Sequence, residues 1–282
     1  MREEWRKAAI DGDIGAIGKW LDDSPTIDSR DRYGQTTLMM AATHGRTAAV
    51  DLLIAHGADL NVTAKYGLSA LMLAIVNRHA GIATALLDAG TDTSLRGTGA
   101  PGFANKTAAD LAREAGFNEL SDAITLDQIA RAFADRTPPT LLTDSKQLSD
   151  VEYDEVMSFE SMRWQDVTFD QIERNSDAVF WFSPEAFCYF LPGLMLAGLK
   201  ENRVDANCYD ALIGMLDRSA EPDSWDDFFQ PRWPLLTVAQ VDAVTAWAKW
   251  LQSVQPDAFH SNTFERVGNT LALLAERRKG IG

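Results

Sequence analysis

The sequence predicts an all-α chain in two parts, a helical solenoid followed by a separate compact α-helical domain. Three observations predict it. A self-similarity with a period of 33 residues runs through the first part and disappears near Asp127. Beyond that point, residues that cap helix N-termini stand repeatedly ahead of apolar stretches. No stretch alternates apolar and polar residues with β-branched enrichment, so few or no strands are expected.

The repeat is carried by single residues. Gly34 recurs as Gly67, Ala41 as Ala74, Leu53 as Leu86, Gly57 as Gly90 and Asp59 as Asp92. Backwards, the same offset takes Ala41-Ala42 to Ala8-Ala9 and Gly45 to Gly12. Forwards, Thr107-Ala108-Ala109-Asp110-Leu111-Ala112 and Gly116 make a fourth copy after five inserted residues. The alanines are small where two helices must approach closely. Leu52, Leu53, Leu86 and Leu87 form an apolar stripe on each second helix, and Gly57 and Gly90 suit the left-handed position that ends a helix. The second unit, Gly34-Gln35-Thr36-Thr37-Leu38 through Val50-Asp51-Leu52-Leu53 to Gly57-Ala58-Asp59, resembles the ankyrin repeat. It departs from that pattern at Thr37 and Met39, where the family carries proline and histidine. The resemblance implies an ankyrin-repeat solenoid of about four units over residues 1–127, its outer units acting as caps because no unit buries its apolar face alone.

Thr137-Pro138-Pro139-Thr140 stops any helix and lies in a linker assigned to 128–148. A helical domain follows over 149–282. Thr168-Phe169-Asp170-Gln171 reads as a capping box that opens a helix through Phe180. Ser183-Pro184-Glu185 reads as an N-cap, a proline in the first turn and an acid on the helix dipole. The run after it is apolar nearly all round, which predicts a buried central helix, kinked or ended at Pro192-Gly193. Further helices are expected over Asn207–Leu216, from Thr237 and from Asn262. Six of the eight tryptophans lie in this half. The segment Trp181 to Pro192, with Asp210-Ala211-Leu212 and Trp233-Pro234-Leu235-Leu236, resembles a family of bacterial domains without an established activity. That resemblance implies a bacterial origin and brings no catalytic residues.

Composition narrows the function. Lys and Arg number 26 against 41 Asp and Glu, a net charge of −15 with pI about 4.6. Such a balance argues against nucleic acid, whose binders need a basic footprint, and against anionic membrane surfaces. It favours a basic protein partner. Cys188 and Cys208 are too few for a disulfide scaffold and suit a reducing cytoplasm. The N-terminal residues are charged from the start, so no signal peptide is read. The apolar run Ala186–Leu199 is too short to span a bilayer.

Candidate chemistry is sparse. Gly97-Thr98-Gly99-Ala100-Pro101-Gly102 fits G-x-G-x-x-G, but no strand precedes it, so it reads as a long finger loop and not a dinucleotide site. The histidines His44, His56, His79 and His260 have no metal-ligand spacing, and neither metal nor cofactor is expected. The cysteines read as buried apolar residues. Two acidic clusters stand out, Asp150, Glu152, Asp154, Glu155 and Glu160, then Glu221, Asp223, Asp226 and Asp227. They read first as solvated faces, second as docking patches for a basic partner and last as general acid–base groups.

By resemblance to ankyrin proteins, partner contacts fall at fingertips and inner-helix ends. Here those are Arg32, Tyr33, Gln35, Thr43, His44, Lys65, Tyr66, Leu68, Val76 and Asn77, with Phe103 and Lys106 in the last unit. Asp226 and Asp227 are the acidic candidates of the second half. The repeated cation–Tyr pairs put residue types common in binding hot spots on exposed turns; packing of those tyrosines against neighbouring fingers is the competing explanation. The expected function is non-enzymatic protein binding, in its sharper form an immunity protein that neutralises a basic bacterial toxin. The alternative is an enzyme in the C-terminal half, whose signature would be a pocket gathering His260, a cysteine and carboxylates.

Overall fold

The computed structural model describes residues 2–23, 26–260 and 262–279. All regular structure among them is helical, and it divides into two compact units, one ending at Ile124 and one beginning at Thr125.

The first unit is built from helix–turn–helix pairs: α1 (Glu3–Asp11) with α2 (Ile14–Asp23), α3 (Thr37–Thr43) with α4 (Thr47–Ala55), α5 (Ala70–Val76) with α6 (Ala80–Asp88), and α7 (Ala108–Glu114) with the start of α8 (Asn118–Ala132). First helices stack on first helices and second on second. The alanines are the reason the stack closes, since Ala9, Ala41, Ala42, Ala74 and Ala112 have no exposed surface.

Each inner helix from the second pair onward starts on a hydroxyl in repeat register. Thr36, Ser69 and Thr107 accept the backbone N–H three residues on, at 3.3, 3.4 and 3.3 Å. The turn inside each pair needs a left-handed residue. Gly12, Gly45 and Gly116 supply it, and Arg78 takes the same conformation at φ 62°. A side chain there is strained. Arg78 is held by contacts of its own, its guanidinium lying over the Phe117 ring and donating to Ala115 O at 3.0 Å.

The second unit has a core of aromatic rings. Its helices are α9 (Asp150–Met157), α10 (Phe169–Arg174), α11 (Ala178–Trp181), α12 (Pro184–Glu201), α13 (Asn207–Leu216), α14 (Val238–Val254) and α15 (Thr263–Lys279). Phe159, Phe182 and Phe190 meet pairwise at 5.1–5.2 Å, Trp233 packs between Phe187 and Phe229, and Tyr209 meets Trp247 edge-on at 5.4 Å.

Three expectations about this half change. The helix starting at Phe169 does not reach Phe180. It stops at Arg174, and the Asn175 side chain donates to Gln171 O at 2.9 Å, a local bond that competes with helix continuation. The central helix neither ends nor breaks at Pro192. It runs eighteen residues, with every residue from Ala186 to Leu199 buried, and this packing outweighs a proline cost of about 3 kcal/mol. Finally, residues 128–132, read as linker, belong to α8, and Ile129 and Phe133 are buried in the second core.

Candidate binding surface

The fingers are built by backbone hydrogen bonds. In the first, Asp31 Oδ1 accepts from Tyr33 N at 2.8 Å and from Gln35 N at 2.9 Å, while Asp31 N donates to Gln35 O. This Asx turn sets the tip. In the second, Ala64 N donates to Leu68 O and Gly67 N to Ala64 O, with Tyr66 and Gly67 both at positive φ. The third is longer and contains the glycine motif. Gly97 N donates to Lys106 O, and a side chain at Gly97 would meet Phe103 O at 2.3 Å, so that glycine serves a close backbone approach. Neighbouring fingers are laced together, Lys65 N to Tyr33 O at 3.0 Å and Thr98 N to Tyr66 O at 2.6 Å.

This lacing fixes the backbone and leaves the rings outside. Tyr33 is 48% exposed and Tyr66 41%. Arg32 lies 4.7 Å from the centroid of the Tyr33 ring, and Lys65 lies 4.8 Å from that of Tyr66. The first two tips therefore repeat one element, a cation resting on a half-exposed tyrosine. At the inner-helix ends, Thr43 Oγ1, His44 Nδ1 and Asn77 Nδ2 each donate to a carbonyl one turn back at 2.8 Å, and Val76 is 40% exposed between them. Gln35 is half-buried.

Some expected contacts lie elsewhere. Leu68 is buried, because closing the finger through Ala64 N and Leu68 O turns its side chain into the solenoid core. Phe103 packs partly against the same core, and Lys106 pairs with Glu114 at 2.7 Å. Asp226 is exposed but occupied. It accepts from Phe228 N and Phe229 N and pairs with Arg218 at 3.0 Å, so it caps a turn, whereas Asp227 is plainly exposed. Sequence reading missed Asp31, whose signal was an aspartate two residues ahead of the tip. It also read 138–145 only as linker, whereas that segment forms a wall of a groove.

The alternative chemistry gathers only in part. A cleft of about 550 Å³ is lined by His260 with Asp210, Asp217 and Asp257, and Asp217 is committed to a bidentate pair with Arg266. Neither cysteine lines it. Burial pushes the Cys188 thiol up to about 11 and the Cys208 thiol higher still. A thiol in that state is protonated and unreactive at neutral pH. Cys188 and Cys208 should resist alkylation in the native chain up to about pH 10 and react once it unfolds, and Cys→Ala at either should cost about 1–2 kcal/mol through lost packing. Rapid native-state labelling at pH 8, read by mass spectrometry, would contradict this.

Residues 6–96 match the family described as ankyrin repeats (3 copies), in keeping with the helix pairs above. Residues 122–270, more than half of the chain, match the family of unknown function DUF6714. The chain belongs to the DUF6714 family. No curated protein matches it. The ankyrin repeats associate this DUF6714 chain with protein–protein interaction in general. Among the described residues no helix is long and apolar enough to cross a membrane.

Proposed function

We propose that this DUF6714 protein is a non-catalytic binding protein of the cytoplasm, and that it works as an immunity protein, neutralising a basic bacterial toxin by direct contact. The observation that carries the reading is the finger tier. Two half-exposed tyrosines, each under its own cation and fixed by a laced backbone, form a preorganised surface that loses little freedom on binding. Charge supports the choice of partner. Residues 125–282 hold 14 Lys and Arg against 25 Asp and Glu, so the second unit carries −11 of the total −15. An acidic surface of that size steers a cationic partner and competes for its phosphate-binding face.

The enzyme reading has less behind it, because the cleft that holds His260 is not lined by either cysteine. The test is protection. A host expressing a secreted toxin encoded beside this gene should survive when the intact chain is co-expressed and die without it. Equal killing with and without the chain would overturn the reading.

A further inference from the structure

A groove of about 580 Å³ crosses the second unit, and nothing above assigns it a role. One wall is the segment Pro138–Ser145. It is held in place by Ser183, whose Oγ donates to Leu141 O and whose N–H donates to Leu142 O, both at 2.7 Å. The other wall is α9 and the turn after it, presenting Tyr153, Met157 and Met162. Aromatic side chains of the core, Phe159, Tyr189 and Phe190, line it as well. Methionine-lined grooves adapt to varied apolar side chains.

Two independent features point to an occupant. The first is polar. Tyr189 is only 3% exposed, lines this groove, and its hydroxyl makes no hydrogen bond to any described residue. The hydroxyl is not sealed inside the core, so it is open to bond an occupant of the groove. The second is charge. Glu160 lines the groove, and Asp150 and Asp154 are exposed on α9, whose Tyr153 lines it together with the exposed Leu141. Of the cations nearby, Arg163 is spent on a bidentate pair with Asp166 at 2.8 and 2.9 Å. The carboxylates, the methionine and aromatic side chains and the open Tyr189 hydroxyl together fit a basic amphipathic segment with a large apolar anchor.

We infer that this groove docks such a segment of a protein partner, the anchor entering between the methionines and bonding the Tyr189 hydroxyl while flanking lysines or arginines meet the carboxylates. The inference rests on the binding-protein reading above and adds a second contact region to the fingers. The probe is a fluorescein-labelled fourteen-residue Lys/Leu helical peptide with one central Trp, titrated into the full chain by anisotropy at low and moderate salt. Saturable binding is expected.

Thr140→Trp, an exposed position on the wall, should block the groove and weaken binding about tenfold, and Met157→Trp should do the same from the other side. Tyr189→Phe, which leaves charge and shape unchanged, should weaken it about threefold, a loss that diffuse attraction to an acidic protein would not show. Asp150→Asn with Asp154→Asn and Glu160→Gln should flatten the salt dependence. Tyr33→Ala with Tyr66→Ala should change nothing. Wild-type affinity in a folded Thr140→Trp chain, or no binding by the wild type, would overturn the groove. Loss of the groove with toxin protection intact removes only this inference. Peptide binding without protection removes only the toxin reading.

Discussion

Gly193→Ala should destabilise the second unit by about 3 kcal/mol or more, although alanine is the better helix former. The reason is the turn Trp164–Val167 lying directly on α12. A Cβ at Gly193 would stand 2.3 Å from Trp164 O and within 3.0 Å of two Val167 carbons. A backbone carbonyl cannot swing aside as the end of a flexible side chain would. The helix and the turn must therefore separate, opening the contacts that Trp164 and Val167 make in the core. For a unit of this size the thermal midpoint should fall by about 6–12 °C. Gly18→Ala is the control, since nothing lies within 4 Å of a Cβ there. A midpoint for Gly193→Ala within 2 °C of wild type, read by circular dichroism, would mean that the packing of α12 is misassigned.

The same helix shows where sequence and structure part. The solenoid was legible because its close approaches recur every 33 residues as Ala, Gly and a capping hydroxyl, each dictated by local geometry. In the second half, local rules found helix starts at Ser183 and Thr237 but misjudged ends. Pro192 is a breaker by propensity, yet it sits mid-helix because fourteen consecutive buried residues override it. Asn175 ends a helix through a side-chain bond that no periodicity announces. The segment 138–145 reads as linker by its prolines, but it is fixed by Ser183, some forty residues away in sequence.

The surface divides in the same way. Tyr33 and Tyr66 were legible as exposed because each precedes a glycine at a turn. Leu68 was not legible as core, because its burial follows from how the finger closes on Ala64. Asp226 looked like a free acid in a run of acids, and only the fold shows it capping Phe228 and Phe229. The groove around Tyr189 was invisible in sequence, since its walls come from three separated segments.

The second large effect concerns binding. Tyr33→Ala with Tyr66→Ala should weaken the native partner by about 2 kcal/mol or more, roughly thirtyfold in affinity. Truncation removes two half-exposed rings and frees Arg32 and Lys65 from the positions those rings give them. The fold should not notice. The finger backbone is held by Asp31 and by the carbonyls of residues 33 and 66, which alanine retains, and the core rests on buried alanines and leucines.

That double variant makes the most direct measurement of the central claim. The wild-type chain and the variant are titrated against the purified partner by calorimetry, with thermal melts of both run in parallel. A dissociation constant raised about thirtyfold at an unchanged melting midpoint is the predicted result. An unchanged dissociation constant in a folded variant would contradict it and place the contact off the ankyrin fingers.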